Sequence, residues 1–178
     1  MRRLICATIL VVGLMSALPL AGLAADANNN HDPYAFLIGT GDPGPVGPDV
    51  AAAQNGSTVT IVGSGSFKAG PDQDFAGAGT YRLKDAQGNT TSAGTWGVTG
   101  VLGFVSYGSA SAQGLPAFLW GGQVKLGVHL SNGADGVLTV FCVLGSPPAG
   151  KDEGVTLVLG QGGNFTKPVS GQTVFIKS

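Results

Sequence analysis

The sequence is poor in the groups that carry chemistry. Charged residues make up 11% of it, there are two histidines and two cysteines, and Glu153 is the only glutamate. Nine basic residues against ten acidic ones give a formal charge of −1, with no arginine cluster and no basic stripe. That balance argues against nucleic acid or an anionic membrane surface as a partner. Long helix-favouring side chains are scarce, and no 3.6-residue apolar period persists after the first 25 residues, so helices are not expected to dominate. Cys6 belongs to an N-terminal segment treated below, which leaves Cys142 alone and excludes an intramolecular disulfide. Cys142 lies in the apolar run Val140-Phe141-Cys142-Val143-Leu144 and reads as a buried thiol. It has no cationic neighbour or helix N-terminus to activate it as a nucleophile. His and Cys are too few for a zinc site. The loop acids Asp72, Asp74, Asp135, Asp152 and Glu153 read as turn formers rather than calcium ligands. No metal and no cofactor is expected.

The N-terminus is the most specific part of the chain. Arg2 and Arg3 precede an apolar run over residues 4–18, Pro19 follows, and Gly22-Leu23-Ala24-Ala25 closes the segment with small residues. Residues 1–25 therefore read as a bacterial secretory signal peptide cleaved after Ala24 or Ala25. The run is short for a membrane span, which needs about 20 residues. Leu23 stands where a lipoprotein would carry its acylated cysteine, and no later segment is long and apolar enough to span a bilayer. The expected destination is secreted or periplasmic, with no stable membrane anchor after cleavage. Removing 25 of the 178 residues leaves 153, the size of one domain.

That remainder is glycine-rich, and residues 26–54 read as a polar and Gly/Pro-rich leader with a first strand candidate at 34–38. The domain proper, 55–178, shows period-two alternation and regular turn signals. Val59, Ile61 and Phe67 oppose Thr58, Thr60, Ser64 and Ser66, and Tyr81 and Leu83 oppose Thr80, Arg82 and Lys84. The cleanest case is Val124, Leu126, Val128 and Leu130 on one side with Lys125, Gly127, His129 and Ser131 on the other. Val155, Leu157 and Leu159 are expected to share the buried face of that strand. The long β-prone stretch 90–107 is interrupted by glycines and predicts a bend or bulge near Gly100. About seven or eight strands joined by hairpin-like turns predict an all-β domain, a single antiparallel β-barrel or alternatively a β-sandwich.

Motifs that would assign an activity fail on their own mechanics. Gly39-Thr40-Gly41-Asp42-Pro43-Gly44 matches a dinucleotide pattern, but Pro45, Gly47 and Pro48 forbid the helix whose N-terminus must meet the pyrophosphate. Residues 145–151 match a phosphate loop, but Pro147 and Pro148 lack the N–H groups it works through, and Asp152 replaces the magnesium-binding hydroxyl. No serine has glycine two before and two after it, so a nucleophile elbow is missing.

What remains is a short set of candidates. His129 is the only imidazole of the domain, and with Tyr107 it is the polar group a barrel-cavity enzyme would use. Trp96, Trp120, Lys125 and His129 are the candidates for ligand contact. The blocks Ala78-Gly79-Thr80-Tyr81, Gly94-Thr95-Trp96, Val105-Ser106-Tyr107-Gly108 and residues 136–148 resemble a family of small secreted bacterial all-β proteins with no assigned activity. More distantly, the strand-and-glycine pattern is similar to the barrels of allene oxide cyclases and dirigent proteins, which implies a fold and no site residues. The expected function is a non-enzymatic exported module that binds an apolar small molecule or a protein partner. The alternatives are a barrel-cavity isomerase or cyclase and a structural or surface-assembly subunit. The choice turns on whether the interior is open or filled by Trp96, Phe104, Phe118, Trp120 and Phe141 among the glycines.

Overall fold

Alternation of apolar with polar or small residues produces strands throughout the computed structural model, which describes residues 32–39, 47–68, 70 and 72–178. The expected signal segment and most of the dinucleotide-like stretch lie outside the described residues. Ten strands form one antiparallel sheet: β1 (Pro33–Ile38), β2 (Asp49–Ala53), β3 (Thr58–Lys68), β4 (Asp74–Lys84), β5 (Thr90–Ser109), β6 (Leu119–Leu130), β7 (Asp135–Cys142), β8 (Gly154–Leu159), β9 (Asn164–Ser170) and β10 (Thr173–Lys177). The all-β class is as expected. The strand count is higher, because β2 and β9 carry weak signals. β2 is built from small residues, and β9 contains Lys167 and Pro168. Pro168 is tolerated because the β2–β9 ladder slips in register beside it, between Val50 and Ala51. Both β1 and β2 fall within the segment read as a leader, yet both are paired into the sheet.

The pairings close on themselves in a ring-like way, as suits a barrel-like or sandwich-like all-β fold. One edge of β3 pairs with β4 along its length. The other edge is divided, residues 58–61 pairing with β2 and residues 63–68 with β1. β6 is divided in the same manner: residues 119–120 pair with β10, residues 122–129 with β7, and the opposite edge with β5. Two rings result. One runs β1-β10-β6-β5-β4-β3, the other β2-β9-β8-β7-β6-β5-β4-β3. β5 spans both, and its ladder with β6 slips at Val98/Gly100, Val101/Gly103 and Ser106/Gly108, so the expected bulge near Gly100 is present.

The buried faces follow the period. Val124, Leu126, Val128 and Leu130 are buried together with Val155, Leu157 and Leu159, while Lys125 and His129 are exposed. Inside the six-strand ring the side chains are mostly aromatic. Phe67 stacks on Tyr34 at 5.4 Å between ring centres and meets Phe104 at 4.9 Å and Phe175 at 6.0 Å edge-on. Glycine makes room for such rings. A Cβ on Gly63 would run into the Trp96 indole, and one on Gly65 would lie 2.7 Å from the Phe36 ring. Their cross-strand partners Gly79 and Gly77 meet the same two rings, with 2.8 Å to the indole nitrogen and 3.0 Å to Phe36.

Candidate functional site

The structure distributes the sequence-derived candidates over different environments. Trp96 is buried and its indole N–H donates to the Val62 carbonyl at 3.2 Å. Trp120 is half-buried, donates to the Ala117 carbonyl at 3.0 Å, and has the Lys177 ammonium 4.2 Å from its ring centre. Both indole N–H groups are thus used within the fold. Tyr107 is buried, and desolvation pushes its phenol above the ordinary range. Phe104 and Trp120 join the aromatic core, whereas Phe118 is exposed. Lys125 projects from the outer face of β6.

His129 is on that same outer face and finds a partner the sequence did not suggest. The β6–β7 hairpin sets it opposite Asp135, and Nδ1 lies 2.7 Å from the Asp135 carboxylate. Both side chains are exposed. Donation from Nδ1 to Asp135 leaves Nε2 as the basic nitrogen of the ring. Thr95, Trp96, Val98, Thr99 and Ser131 border a groove beside it of about 350 Å³, open to solvent. The arrangement resembles the base and orienting acid of a catalytic pair, but it stands outside the strand rings rather than in a lumen.

A second polar site lies where the two rings part. Asp49 begins β2 and is fully buried, an unusual place for a carboxylate. Its Oδ1 accepts the Gln172 N–H at 2.9 Å, while its Oδ2 is buried with no hydrogen-bond partner among the described residues. Glu153, at the threshold of β8, serves the next residue of the β9–β10 turn. Its Oε1 accepts the Thr173 N–H at 2.8 Å, and its Oε2 accepts the Val143 N–H at 2.7 Å. The Thr173 hydroxyl oxygen sits 2.7 Å from that same Oε1 and 2.5 Å from the Phe141 carbonyl. Gly171 is required here because a Cβ would strike the Asp49 carboxylate and because its φ is +128°.

Burial raises the Asp49 acid to about 7; the Gln172 N–H opposes the shift and the Glu153 charge adds to it. Cys142 lies close by, fully buried, and desolvation pushes its thiol upward, in keeping with an inert core residue. Among the described residues no group of three or more His, Cys, Asp or Glu side chains is placed to hold a metal ion. Asp49 has no local signal in the sequence: it follows a Gly/Pro stretch, and its partners lie more than a hundred positions away. The lone glutamate of the chain was the one visible signal. Comparison with family models, curated proteins and solved structures gives no match.

Proposed function

We propose that this chain is an exported, non-enzymatic β-domain that binds a protein partner through its outer surface. The filling of the ring interior supports this over an internal apolar ligand. Tyr34, Phe36, Phe67, Phe104 and Phe175 occupy the space a ligand would use, and paired glycines admit the Phe36 and Trp96 rings. Apolar ligand sites are enclosed and largely apolar, whereas the grooves at Thr60, Thr80 and Arg82 and beside His129 are open to solvent. Exposed Leu102, Val105, Phe118 and Val169 supply apolar contact on the outside. Such residues are common on protein surfaces, and these lie on β5, on β9 and just before β6.

Native mass spectrometry of the protein purified from its own source tests this. The expected species is the polypeptide lacking residues 1–24 or 1–25, with no small molecule removable by denaturation, and chemical crosslinking before lysis joins it to a second protein. A stoichiometric apolar molecule released on unfolding overturns the reading in favour of an internal site. An intact N-terminus overturns cleavage. Large particles by light scattering favour an assembly subunit instead. A second reading, acid–base catalysis at the surface, is favoured by the 2.7 Å His129–Asp135 pair alone.

A further inference from the structure

We propose that Asp49 and Glu153 form a proton-operated clamp at the point where the two strand rings part: with a proton bound the β9–β10 turn is held closed, and with both carboxylates charged it loosens.

The geometry supplies the reason. Asp49 and Glu153 accept the N–H groups of consecutive residues, Gln172 and Thr173, and so fix the turn at which the chain leaves β9 in one ring for β10 in the other. Gly39 donates to the Gln172 carbonyl at 3.1 Å, tying the end of β1 to the same turn. Through Val143 and the Phe141 carbonyl the network reaches the end of β7. The ends of β1, β2, β7, β9 and β10 thus converge, with the threshold of β8, on two carboxyl groups.

The network is also one proton short. The Thr173 hydroxyl has one hydrogen and two acceptors within reach, Glu153 Oε1 and the Phe141 carbonyl. Asp49 Oδ2 is buried and unpaired. An unpaired carboxylate oxygen out of water is costly, and a second negative charge nearby makes it more so. One bound proton removes a charge and adds a donor. No cation relieves the pair among the described residues. Glu153 is the charged group that acts on Asp49, and Cys142 of β7 lies behind it. β3 presents Ile61 opposite Asp49, and its Lys68 is at the far end of the strand. Lys167 of β9 pairs with Ala52, three residues along β2.

The sign of the pH dependence follows. A buried acid with a raised folded pKa stabilises the closed form fully below its unfolded value near 4. That stabilisation is lost as pH rises toward about 7, and the loss levels off above it. The clamp is closed in acid and slack in mild base.

Carbon-13 NMR of the side-chain carboxyls and amide hydrogen exchange test this on the mature protein. One Asp carboxyl should titrate near neutrality and vanish in Asp49→Asn, and Glu153→Gln should move its midpoint toward acid. Protection of the Gln172, Thr173 and Val143 amides, corrected for intrinsic rates, should fall about tenfold or more between about pH 5.5 and about pH 8.5. Asp49→Asn should abolish that fall. An Asp49 midpoint near 4, or protection independent of pH, overturns the proposal; both measurements are made on the unaltered protein, so they decide it even where a variant fails to fold. Millimolar calcium should leave the high-pH exchange unchanged; restored protection would mean that a cation, rather than a proton, closes the junction.

Discussion

Around the six-strand ring the inward side chains are mostly aromatic: Tyr34 and Phe36 from β1, Phe67 from β3, Phe104 from β5 and Phe175 from β10, with Ile38 completing β1. Around the eight-strand ring they are mostly branched aliphatics: Val59 and Ile61 from β3, Leu126 and Val128 from β6, Leu138 from β7 and Leu157 from β8. One strand encodes both halves. The inward positions of β3 read Val59, Ile61, Gly63, Gly65 and Phe67. The glycines stand at the boundary and admit the Trp96 and Phe36 rings. The difference shows how glycine works in this fold. It is placed where a large neighbour must come close to the backbone, which lets a glycine-rich sequence still fill its interior.

The comparison breaks most visibly if the aromatic half is loosely packed. Phe67→Ala removes a ring that touches Tyr34, Phe104 and Phe175 and should cost about 4 kcal/mol in denaturant unfolding. Leu126→Ala in the aliphatic half should cost about 3 kcal/mol, since Leu126 is fully buried. A Phe67 loss well below the Leu126 loss would mean that the aromatic end yields space easily, and the case for a filled interior would weaken with it. A Leu126 loss under about 0.5 kcal/mol would contradict its burial.

A pair of glycine substitutions sharpens the same contrast. Gly63→Ala drives a methyl into the Trp96 indole and should destabilise by about 2 kcal/mol, in the usual range for overpacking. Gly103→Ala meets no atom within 4 Å. It should be neutral or stabilising by up to about 0.5 kcal/mol, because alanine has less chain entropy to lose. Equal costs at the two sites would show that glycine here serves backbone conformation rather than space.

Much of this was legible in the sequence because it is local. The alternation of residues 124–130 gave the buried and exposed faces of β6, and the glycines of residues 94–103 signalled the bulged course of β5. β2 and β9 were not legible, because Ala51, Ala52 and Ala53 carry no β signal and Lys167-Pro168 argues against a strand. β2 pairs because β3 leaves half an edge open to it, and β9 then fills the place between β2 and β8. The ring divisions at β3 and β6 are tertiary facts with no local signature. The same holds for the carboxyl junction, since Asp49 meets Gln172 and Glu153 meets Thr173 only after β9 and β10 have docked. The sequence did mark His129, as an isolated imidazole on a polar face. Its pairing with Asp135 depends on the register of the hairpin.

The smallest expected effect belongs to that outer face. His129 and Asp135 lie in water, where an ion pair or hydrogen bond gains little over solvent, so His129→Ala should change stability by less than about 0.5 kcal/mol. The inner positions on either side of it, Val128 and Leu130, are nearly fully buried, so one strand offers a sensitive and an indifferent face one residue apart. This indifference makes the variant a clean probe of chemistry. The folded His129→Ala protein can be assayed against esters, lactones and epoxides alongside the unaltered chain. If the unaltered chain turns one over and the variant does not, the pair with Asp135 acts as a base and the non-enzymatic reading fails. If neither acts and partner crosslinking is unchanged, the pair is a surface contact of the β6–β7 hairpin, and the partner is held elsewhere on the outer surface.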